Sequence, residues 1–287
     1  MIVQQKNTIR DIWKKNNMSL VDTNWLKKKL DKVKIIDCSW HMPQTERNGF
    51  VEYKNKHIKN TIFFDLDKNS KKNTDLPHML PDAKSWEGIV SNMGIKNDDQ
   101  IVIYDNSDVI SSCRCWYNFI YFGHNPKLVH VLNGGLKKWI EEDRPTTSDI
   151  IKNIPSNYTV HEKKELVKDI KQINKNILEN KFNVIDARSL ERFKGSVPEP
   201  RKGLRSGSIK NSFCLPFSEL INKDHTFISK EKIFEKFKST GYEVGKNITF
   251  TCGSGVTASV LALAYSLIDN KYMPTIYDGS WSEYGKN

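Results

Sequence analysis

The chain has 287 residues, with 45 Lys and Arg against 34 Asp and Glu, so its formal net charge is +11. This length exceeds the usual size of one domain and favours two. The basic residues are spread along the whole chain, which favours a solvated lysine-rich surface over a nucleic-acid-binding patch. The sequence contains no apolar run long enough to cross a membrane. We therefore expect neither a nucleic acid nor a membrane as partner.

The N-terminal stretch and the cysteines bear on the compartment. Residues 1–17 are basic and lack the apolar centre of a secretory signal, so we interpret them as a tail, with a mitochondrial presequence as the alternative. The cysteines are odd in number and irregular in spacing, which predicts a reducing compartment and no zinc site. They are Cys38, Cys113, Cys115, Cys214 and Cys252. We expect a cytoplasmic protein, or a mitochondrial one if the source is eukaryotic.

Short apolar runs alternate with helical patterns along the first half. The segment 19–30, "SLVDTNWLKKKL", predicts a helix with a hydroxyl cap, and "KIIDCSW" at 34–40 predicts a short buried strand. Two further helices are expected to end at Gly94 and Gly123. Strands that alternate with helices predict an α/β fold, with parallel sheets covered by helices on both faces.

The second half of the sequence repeats the first. "KIIDCSW" matches "NVIDARS", "HIKNTIFFDLD" matches "SIKNSFCLPFS", "QIVIYD" matches "NITFTC", and "VHVLNGGLKKW" matches "PTIYDGSWSEY". The offsets are 149, 151, 147 and 145 positions, in the same order along the chain. This pattern predicts a tandem duplication, with domains at 18–147 and 164–287 and a polar linker at 148–163.

One loop carries the chemistry. In "TCGSGVTASVLALAY", Cys252 ends a predicted strand, glycines follow at 253 and 255, and an apolar helix runs from about 256 to 268. Backbone amides at a helix N-terminus favour an anion, so a thiolate is stabilised there. The alternative is a buried structural cysteine with Ser254 as a helix cap. A cysteine phosphatase would need an arginine at position 258, where the chain has Ala258, so sulfur transfer remains the favoured chemistry.

Seven motifs in order resemble the two-domain rhodanese family, and within it the enzymes that use 3-mercaptopyruvate. They are "IIDCSW", "HIKNTIFFDLD", "LPHMLP", "VLNGGLKKW", "RFKGSVPEPR", "CGSGVTA" and "IYDGSW". The resemblance implies tandem rhodanese-like domains, each a parallel sheet with helices on both faces. Asp105 stands where the second repeat has Cys252, so only the second domain is expected to be catalytic.

The resemblance also implies a set of site residues. Arg192 and Arg201 would bind the carboxylate and carbonyl of the substrate, and Ser254 would pair with Asp67 and His78 of the first domain. The loop would contribute substrate contacts from Gly253, Gly255, Val256 and Thr257. The alternatives are surface roles for the arginines, a turn or cap for the aspartate and an interface role for the histidine. Arg114 matches a family arginine that we interpret as structural.

The residues after the cysteine bear on the donor. Gly253 and Ser254 are neutral, which favours a substrate whose charge lies away from the transferred sulfur, as in 3-mercaptopyruvate. We expect a cofactor-free enzyme that forms a persulfide on Cys252, releases pyruvate and passes the sulfur to a thiol, a thioredoxin-like protein or cyanide. The alternatives are a thiosulfate sulfurtransferase and a non-catalytic sulfur-carrier or scaffold protein.

Overall fold

A computed structural model describes residues 19–269 and 271–286, so the predicted tail at 1–17 lies outside the described residues. The first half of the chain forms one five-stranded sheet. Its strands are β1 (Leu20–Val21), β2 (Lys34–Asp37), β3 (Thr61–Phe63), β4 (Ile101–Tyr104) and β5 (Val129–Leu132). Their order across the sheet is β1-β5-β4-β2-β3, and the neighbours run parallel.

The second half forms a sheet of the same design. Its strands are β6 (Val167–Lys168), β7 (Asn183–Asp186), β8 (Phe213–Cys214), β9 (Ile248–Thr251) and β10 (Thr275–Tyr277). Their order is β6-β10-β9-β7-β8, again parallel throughout. Strand for strand this is the order of the first sheet, as a tandem duplication requires. The predicted α/β class is confirmed.

Helices cover both faces of each sheet. In the first half they are α1 (Thr23–Lys27), α2 (Gly49–Asn55), α3 (Ala83–Asn92), α4 (Ser112–Tyr121) and α5 (Gly135–Glu141). In the second half they are α6 (Ile170–Glu179), α7 (Leu190–Lys194), α8 (Lys230–Ser239), α9 (Val256–Ile268) and α10 (Ser280–Tyr284). Neighbouring side chains of a strand face opposite sides, and accordingly Ile36 packs with Trp86 in one apolar cluster while Ile35 packs with Leu26 in another.

The two halves share one apolar core. Helices α4 and α9 pack against each other, and the cluster that contains Phe119 of the first half also contains Phe250 and Leu261 of the second. Cys113 and Cys115 on α4 are fully buried, which agrees with a packing role. Because α9 begins directly after the cysteine loop, this packing fixes that loop against the first half of the chain.

The sequence interpretation was wrong at the first element. The segment 19–30 begins with the edge strand β1, which pairs with β5, and the following helix is capped by Asp22 rather than by Ser19. The Asp22 carboxylate accepts the backbone N–H of Trp25 at 2.7 Å. The other two helices end as predicted, with Gly94 and Gly123 in the left-handed region at φ 69° and 87°.

The predicted linker, 148–163, contains no helix or strand and lies along the first half. Ser156 N–H donates to the Ser91 carbonyl at 2.8 Å, and His161 N–H donates to the Phe122 carbonyl at 3.1 Å. The domain limits themselves stay predictions. Among the described residues, none of the helices is both long and apolar enough to cross a bilayer.

Candidate active site

Cys252 lies at the carboxyl end of β9, and α9 begins four residues later at Val256. Its side chain is buried, with 2% exposure for the residue. The Gly255 N–H donates to the Cys252 sulfur at 3.1 Å. Gly255 has φ +80°, a left-handed conformation that other residues rarely adopt. The sulfur therefore lies at the positive end of a 13-residue helix, which favours an anionic sulfur.

The turn after β10 is hydrogen-bonded to this loop. Trp281 N–H donates to the Cys252 carbonyl, and Ser282 N–H donates to the Gly253 carbonyl, both at 2.9 Å. The Ser280 hydroxyl oxygen accepts the Cys252 N–H at 3.3 Å. The N–H and carbonyl of Cys252 and the carbonyl of Gly253 are thus bonded to this turn, while Cys252 lines the cavity.

Ser254, His78 and Asp67 form a hydrogen-bonded chain across the two halves. His78 Nδ1 lies 2.9 Å from the Ser254 hydroxyl oxygen, and His78 Nε2 lies 3.0 Å from Asp67 Oδ1. Trp40 Nε1–H donates to the other oxygen of Asp67 at 2.9 Å. Because an ionised carboxylate only accepts, Nε2 carries the ring hydrogen and Nδ1 accepts from the serine hydroxyl. The alternative role of Ser254 as a helix cap is not realised, since the residue that precedes the helix is Gly255.

The charges along this chain are set by burial and by pairing. Burial lowers the pKa of His78, against the opposing effect of its hydrogen bond to Asp67. That hydrogen bond lowers the pKa of Asp67. At neutral pH the chain therefore consists of a carboxylate, a neutral imidazole and a hydroxyl, which is the arrangement needed to take up or deliver a proton at Ser254.

The two candidate arginines differ in their surroundings. The Arg192 guanidinium donates to Glu199 through Nε at 3.2 Å and through Nη2 at 2.6 Å. Arg201 Nη2 lies 3.4 Å from the Ser254 hydroxyl oxygen, and among the described residues Arg201 forms no ion pair. A Cβ on Gly253 would lie 3.3 Å from Arg192 and 3.4 Å from Arg201, so the glycine gives both guanidinium groups access to the loop.

A cavity of about 210 Å³ opens in front of the cysteine. This is smaller than the roughly 300–1,000 Å³ typical of sites for drug-sized ligands, so it suits a small molecule. Its lining includes the cysteine loop, both arginines and apolar side chains from both halves. They are Trp40, Met42, Val109, Ala187, Arg188, Ser189, Arg192, Pro200, Arg201, Phe217, Cys252, Gly253, Ser254, Val256 and Thr257.

Comparison with known proteins identifies the family. Residues 22–142 match the family model described as "Rhodanese-like domain". Thiosulfate/3-mercaptopyruvate sulfurtransferase 1, mitochondrial, of Arabidopsis thaliana is 36% identical over 288 residues, which cover 92% of this chain and 75% of that protein. The chain belongs to the rhodanese family. It is a sulfurtransferase of that family, and the motif resemblance in the sequence is confirmed.

The relatives of this rhodanese act on two donors according to their names. In Mus musculus, 3-mercaptopyruvate sulfurtransferase is 33% identical over 274 residues and thiosulfate sulfurtransferase is 34% identical over 275, each covering 93% of this chain and 91% of the relative. The crystal structure of SseA from Escherichia coli, described with the 3-mercaptopyruvate sulfotransferases, superimposes with a TM-score of 0.83 at 29% identity. The match covers 92% of this chain and 99% of SseA. Overall identity does not separate the two donors, so the choice has to come from the site.

The first half of this rhodanese carries a closed counterpart of the cysteine loop. Asp105 takes the position of Cys252, and its carboxylate accepts the N–H groups of Ser107 at 2.9 Å and Ser112 at 2.8 Å. Burial raises the pKa of Asp105. The adjoining cavity, which His225 helps to line, holds only about 10 Å³, at most the space of one water molecule. A side-chain carboxylate therefore fills the anion site that the second half keeps for sulfur.

Sequence reasoning named ten site residues, and the structure brings them together around one cavity or at its edge. It missed Glu199, which lies between Arg192 and Arg188, and Trp40, which lines the cavity and holds Asp67. The glutamate lies inside "RFKGSVPEPR", where an acidic residue between two arginines could have predicted an ion pair. In the part of the chain that the structure describes, no group of acidic, histidine and cysteine residues could hold a metal ion.

Proposed function

We propose that the chain moves sulfur from 3-mercaptopyruvate to Cys252 and then to a thiol, a thioredoxin-like protein or cyanide, without a cofactor. One observation carries the proposal: a cysteine at a helix N-terminus, two guanidinium groups and a serine–histidine–aspartate chain meet at one small cavity. Each of these groups has a task in the reaction of an α-keto thiol.

Arg201 and Arg192 would hold the donor. A guanidinium group grips a carboxylate through two parallel N–H donors, and Arg201 is the guanidinium beside Ser254 with no ion-pair partner in the described chain. Arg192 Nη1 takes no part in the hydrogen bonds to Glu199, and we assign that nitrogen to the donor's carbonyl oxygen. The neutral loop residues Gly253 and Ser254 suit a donor with its charge at the far end.

The first step breaks the carbon–sulfur bond of the donor. The Cys252 thiolate attacks the substrate sulfur, a sulfur–sulfur bond forms, and the carbon–sulfur electron pair leaves as the enolate of pyruvate. The proton of the donor thiol, accepted by His78 through the Ser254 hydroxyl, then joins the enolate carbon and gives pyruvate. Arg192 stabilises the charge that develops on the enolate oxygen, and the Ser254 hydroxyl, backed by His78 and Asp67, is the nearest route for the proton.

The second step regenerates the enzyme. An acceptor thiolate or cyanide attacks the outer sulfur of the persulfide, and the Cys252 thiolate is the leaving group. The Gly255 N–H and the helix N-terminus stabilise that thiolate at the start and at the end of the cycle. On this proposal residues 164–287 form the catalytic domain, and residues 18–147 contribute His78 and Asp67.

Thiosulfate is the second candidate donor, because relatives named for thiosulfate are as similar as those named for 3-mercaptopyruvate. We place it second because a compact dianion would gain from positive charge next to the cysteine, where the chain has Gly253 and Ser254. The name of the Arabidopsis relative supports a mitochondrial location as the alternative to a cytoplasmic one.

The test is a donor panel with wild type and Cys252→Ser. We expect kcat/KM for 3-mercaptopyruvate, followed as pyruvate release, to exceed that for thiosulfate. Intact-mass measurement should find one added sulfur atom on the wild type and none on the variant, whose circular dichroism should match the wild type. A higher kcat/KM for thiosulfate would overturn the donor assignment. Absence of added sulfur after treatment with both donors would favour the scaffold alternative.

A further inference from the structure

Arg114 joins the two halves of the molecule beside the cysteine loop. It lies on α4 of the first half and is completely buried. Its Nη2 donates to the His78 carbonyl and to Asp278 Oδ1 of the second half, each at 2.6 Å. Its Nη1 lies against the loop, since a Cβ on Gly255 would be 2.7 Å from that atom.

Asp278 holds the same segment from the other side. Its second oxygen, Oδ2, accepts the Leu80 N–H at 2.9 Å. Met79 lies between these two bonds, and directly before it is His78, which has φ +60°, a left-handed conformation that costs free energy in a residue with a Cβ. Arg114 and Asp278 therefore fix the backbone directly after the strained residue that carries the imidazole.

The segment of Asp278 is continuous with the support of the cysteine loop. Three residues further on, Trp281 N–H donates to the Cys252 carbonyl, and Ser282 N–H donates to the Gly253 carbonyl. The ion pair thus links the backbone of His78 to the turn that fixes the loop containing Ser254.

The tandem repeat contains an internal comparison. His225 lies 147 positions after His78 and shares its left-handed backbone, at φ +63°. Phe227 N–H, the counterpart of Leu80 N–H, is accepted by Asn133 Oδ1 at 2.8 Å, and Asn133 is the counterpart of Asp278. The Asp105 side of the domain interface, called the closed half below, thus has the same backbone bond, but a neutral side chain accepts it.

The equivalent contact on the Asp105 side of the domain interface contains no ion pair. The counterpart of Arg114 is Leu261, a buried residue of the shared apolar core. The closed half shows that a leucine and an asparagine suffice to join the domains there. Buried ion pairs add little stability over apolar packing, and their best-attested use is to fix one geometry.

We propose that Arg114 and Asp278 are positioning residues, which hold His78 against Ser254 for the proton transfer that releases pyruvate. The inference rests on the proposed function, because only an enolate leaving group requires that proton. Sulfite, which leaves from thiosulfate, requires no protonation at carbon. A fault in the alignment of His78 is therefore expected to slow the two donors unequally.

The test replaces the pair with the residues of the closed half, as the double variant Arg114→Leu/Asp278→Asn, which leaves no unpaired buried charge. We expect kcat with 3-mercaptopyruvate to fall roughly 10- to 100-fold, the scale of a misplaced catalytic group. KM should stay within about twofold, because the pair does not touch the donor. Turnover of thiosulfate should fall much less. In a His78→Ala background the double change should have almost no further effect on kcat.

Asn133→Ala is the matched control, since it removes the equivalent interdomain bond in the closed half. We expect a loss of thermal stability at least as large as that of the double variant, and an unchanged kcat. An unchanged kcat of the double variant would overturn the proposal, as would an equal loss with both donors or a full effect in the His78→Ala background. A wild type that releases no pyruvate would refute the proposed function itself, a result distinct from these.

Discussion

Glu199 binds Arg192 through two hydrogen bonds, at 3.2 Å and 2.6 Å, on the wall of the cysteine cavity. The glutamate is buried, with 2% side-chain exposure, and also accepts from Arg188 Nη1 at 2.7 Å. Arg188 in turn is paired with the buried Asp186. Two carboxylates and two guanidinium groups thus balance, and of the three arginines that line the cavity Arg201 alone has no ion-pair partner in the described chain.

Because Arg192 is paired with Glu199 and Arg201 is not paired, we predict unequal roles for the two arginines. Arg201→Ala should raise KM for 3-mercaptopyruvate roughly 10- to 100-fold, because a charge-assisted contact to the carboxylate is worth about 1.5–3 kcal/mol. Arg192→Ala should raise KM less and lower kcat more, because we assign Arg192 to the carbonyl oxygen on which the enolate charge develops. Steady-state kinetics of pyruvate release measure both parameters. Equal effects of the two changes on KM would contradict the assignment.

Glu199 should restrict the charge of the donor that the cavity accepts. Glu199→Gln leaves one acceptor oxygen for Arg192 but raises the net charge of the cavity wall by one unit. We expect the ratio of kcat/KM for thiosulfate to that for 3-mercaptopyruvate to rise roughly 3- to 10-fold, since thiosulfate is a dianion.

Glu179→Gln is the control for this change. Glu179 pairs with Lys181 at 3.0 Å at the end of α6, so its replacement removes one negative charge from a surface site. It should leave the donor ratio as it is in the wild type. A ratio that stays constant in Glu199→Gln as well would show that the charge of the wall does not select the donor.

Much of this molecule could be predicted from the sequence because its signals are local. The limits of α9 follow from an apolar run after a glycine turn, and the parallel sheets follow from alternating buried strands. The edge strand β1 could not be predicted, because two residues carry no periodicity and pair only through β5, more than a hundred positions later.

The site likewise has residues that the local sequence predicts and others that depend on distant contacts. Cys252 and Ser254 are two positions apart in the chain, and the glycines around them predicted their loop. Their partner His78 is 176 positions away, so its place came from the family resemblance and not from any local pattern. The Arg114–Asp278 contact spans 164 positions and depends on the packing of α4 against α9, which no sequence motif encodes.

The chain from Ser254 to Asp67 predicts the acid side of the pH profile. Burial lowers the pKa of His78 below its usual value of 6.5, so the imidazole stays neutral and able to accept a proton as the pH falls below that value. We expect kcat/KM for 3-mercaptopyruvate to hold through pH 6.5 and to fall only at lower pH. A pH–rate profile with half-maximal activity at or above pH 6.5 would contradict this prediction.

Asp67→Asn is a second test of the hydrogen-bonded series Ser254–His78–Asp67. The Asp67 carboxylate raises the pKa of His78 through its hydrogen bond and its charge, against the effect of burial. Its loss should move the acid limb to still lower pH while the maximal rate falls, because the ring is no longer fixed with its hydrogen on Nε2. A limb that moves to higher pH would mean that another group controls it.

A buried carboxyl group in the first half predicts how stability depends on pH. Asp37 lies at the end of β2 with 1% exposure, and its Oδ1 accepts the N–H of Ser39 at 2.9 Å and the Ser39 hydroxyl at 2.6 Å. Burial raises its pKa from 3.8 to about 7. The folded state therefore binds a proton that the unfolded state has lost between these values, and this contribution to stability disappears as the pH rises through 7.

Asp37→Asn should therefore stabilise the protein, and more so at pH 8 than at pH 5. The amide keeps an acceptor oxygen for both bonds from Ser39, can donate to the Tyr104 hydroxyl that bonds the carboxylate in the wild type, and carries no charge. The gain at pH 8 is therefore on the order of 2–4 kcal/mol. Thermal unfolding at the two pH values measures the effect, with the wild type at each pH as reference. The same gain at pH 5 and pH 8 would show that Asp37 does not titrate in this range, and a loss at both would mean that the carboxylate has a partner that the amide cannot replace.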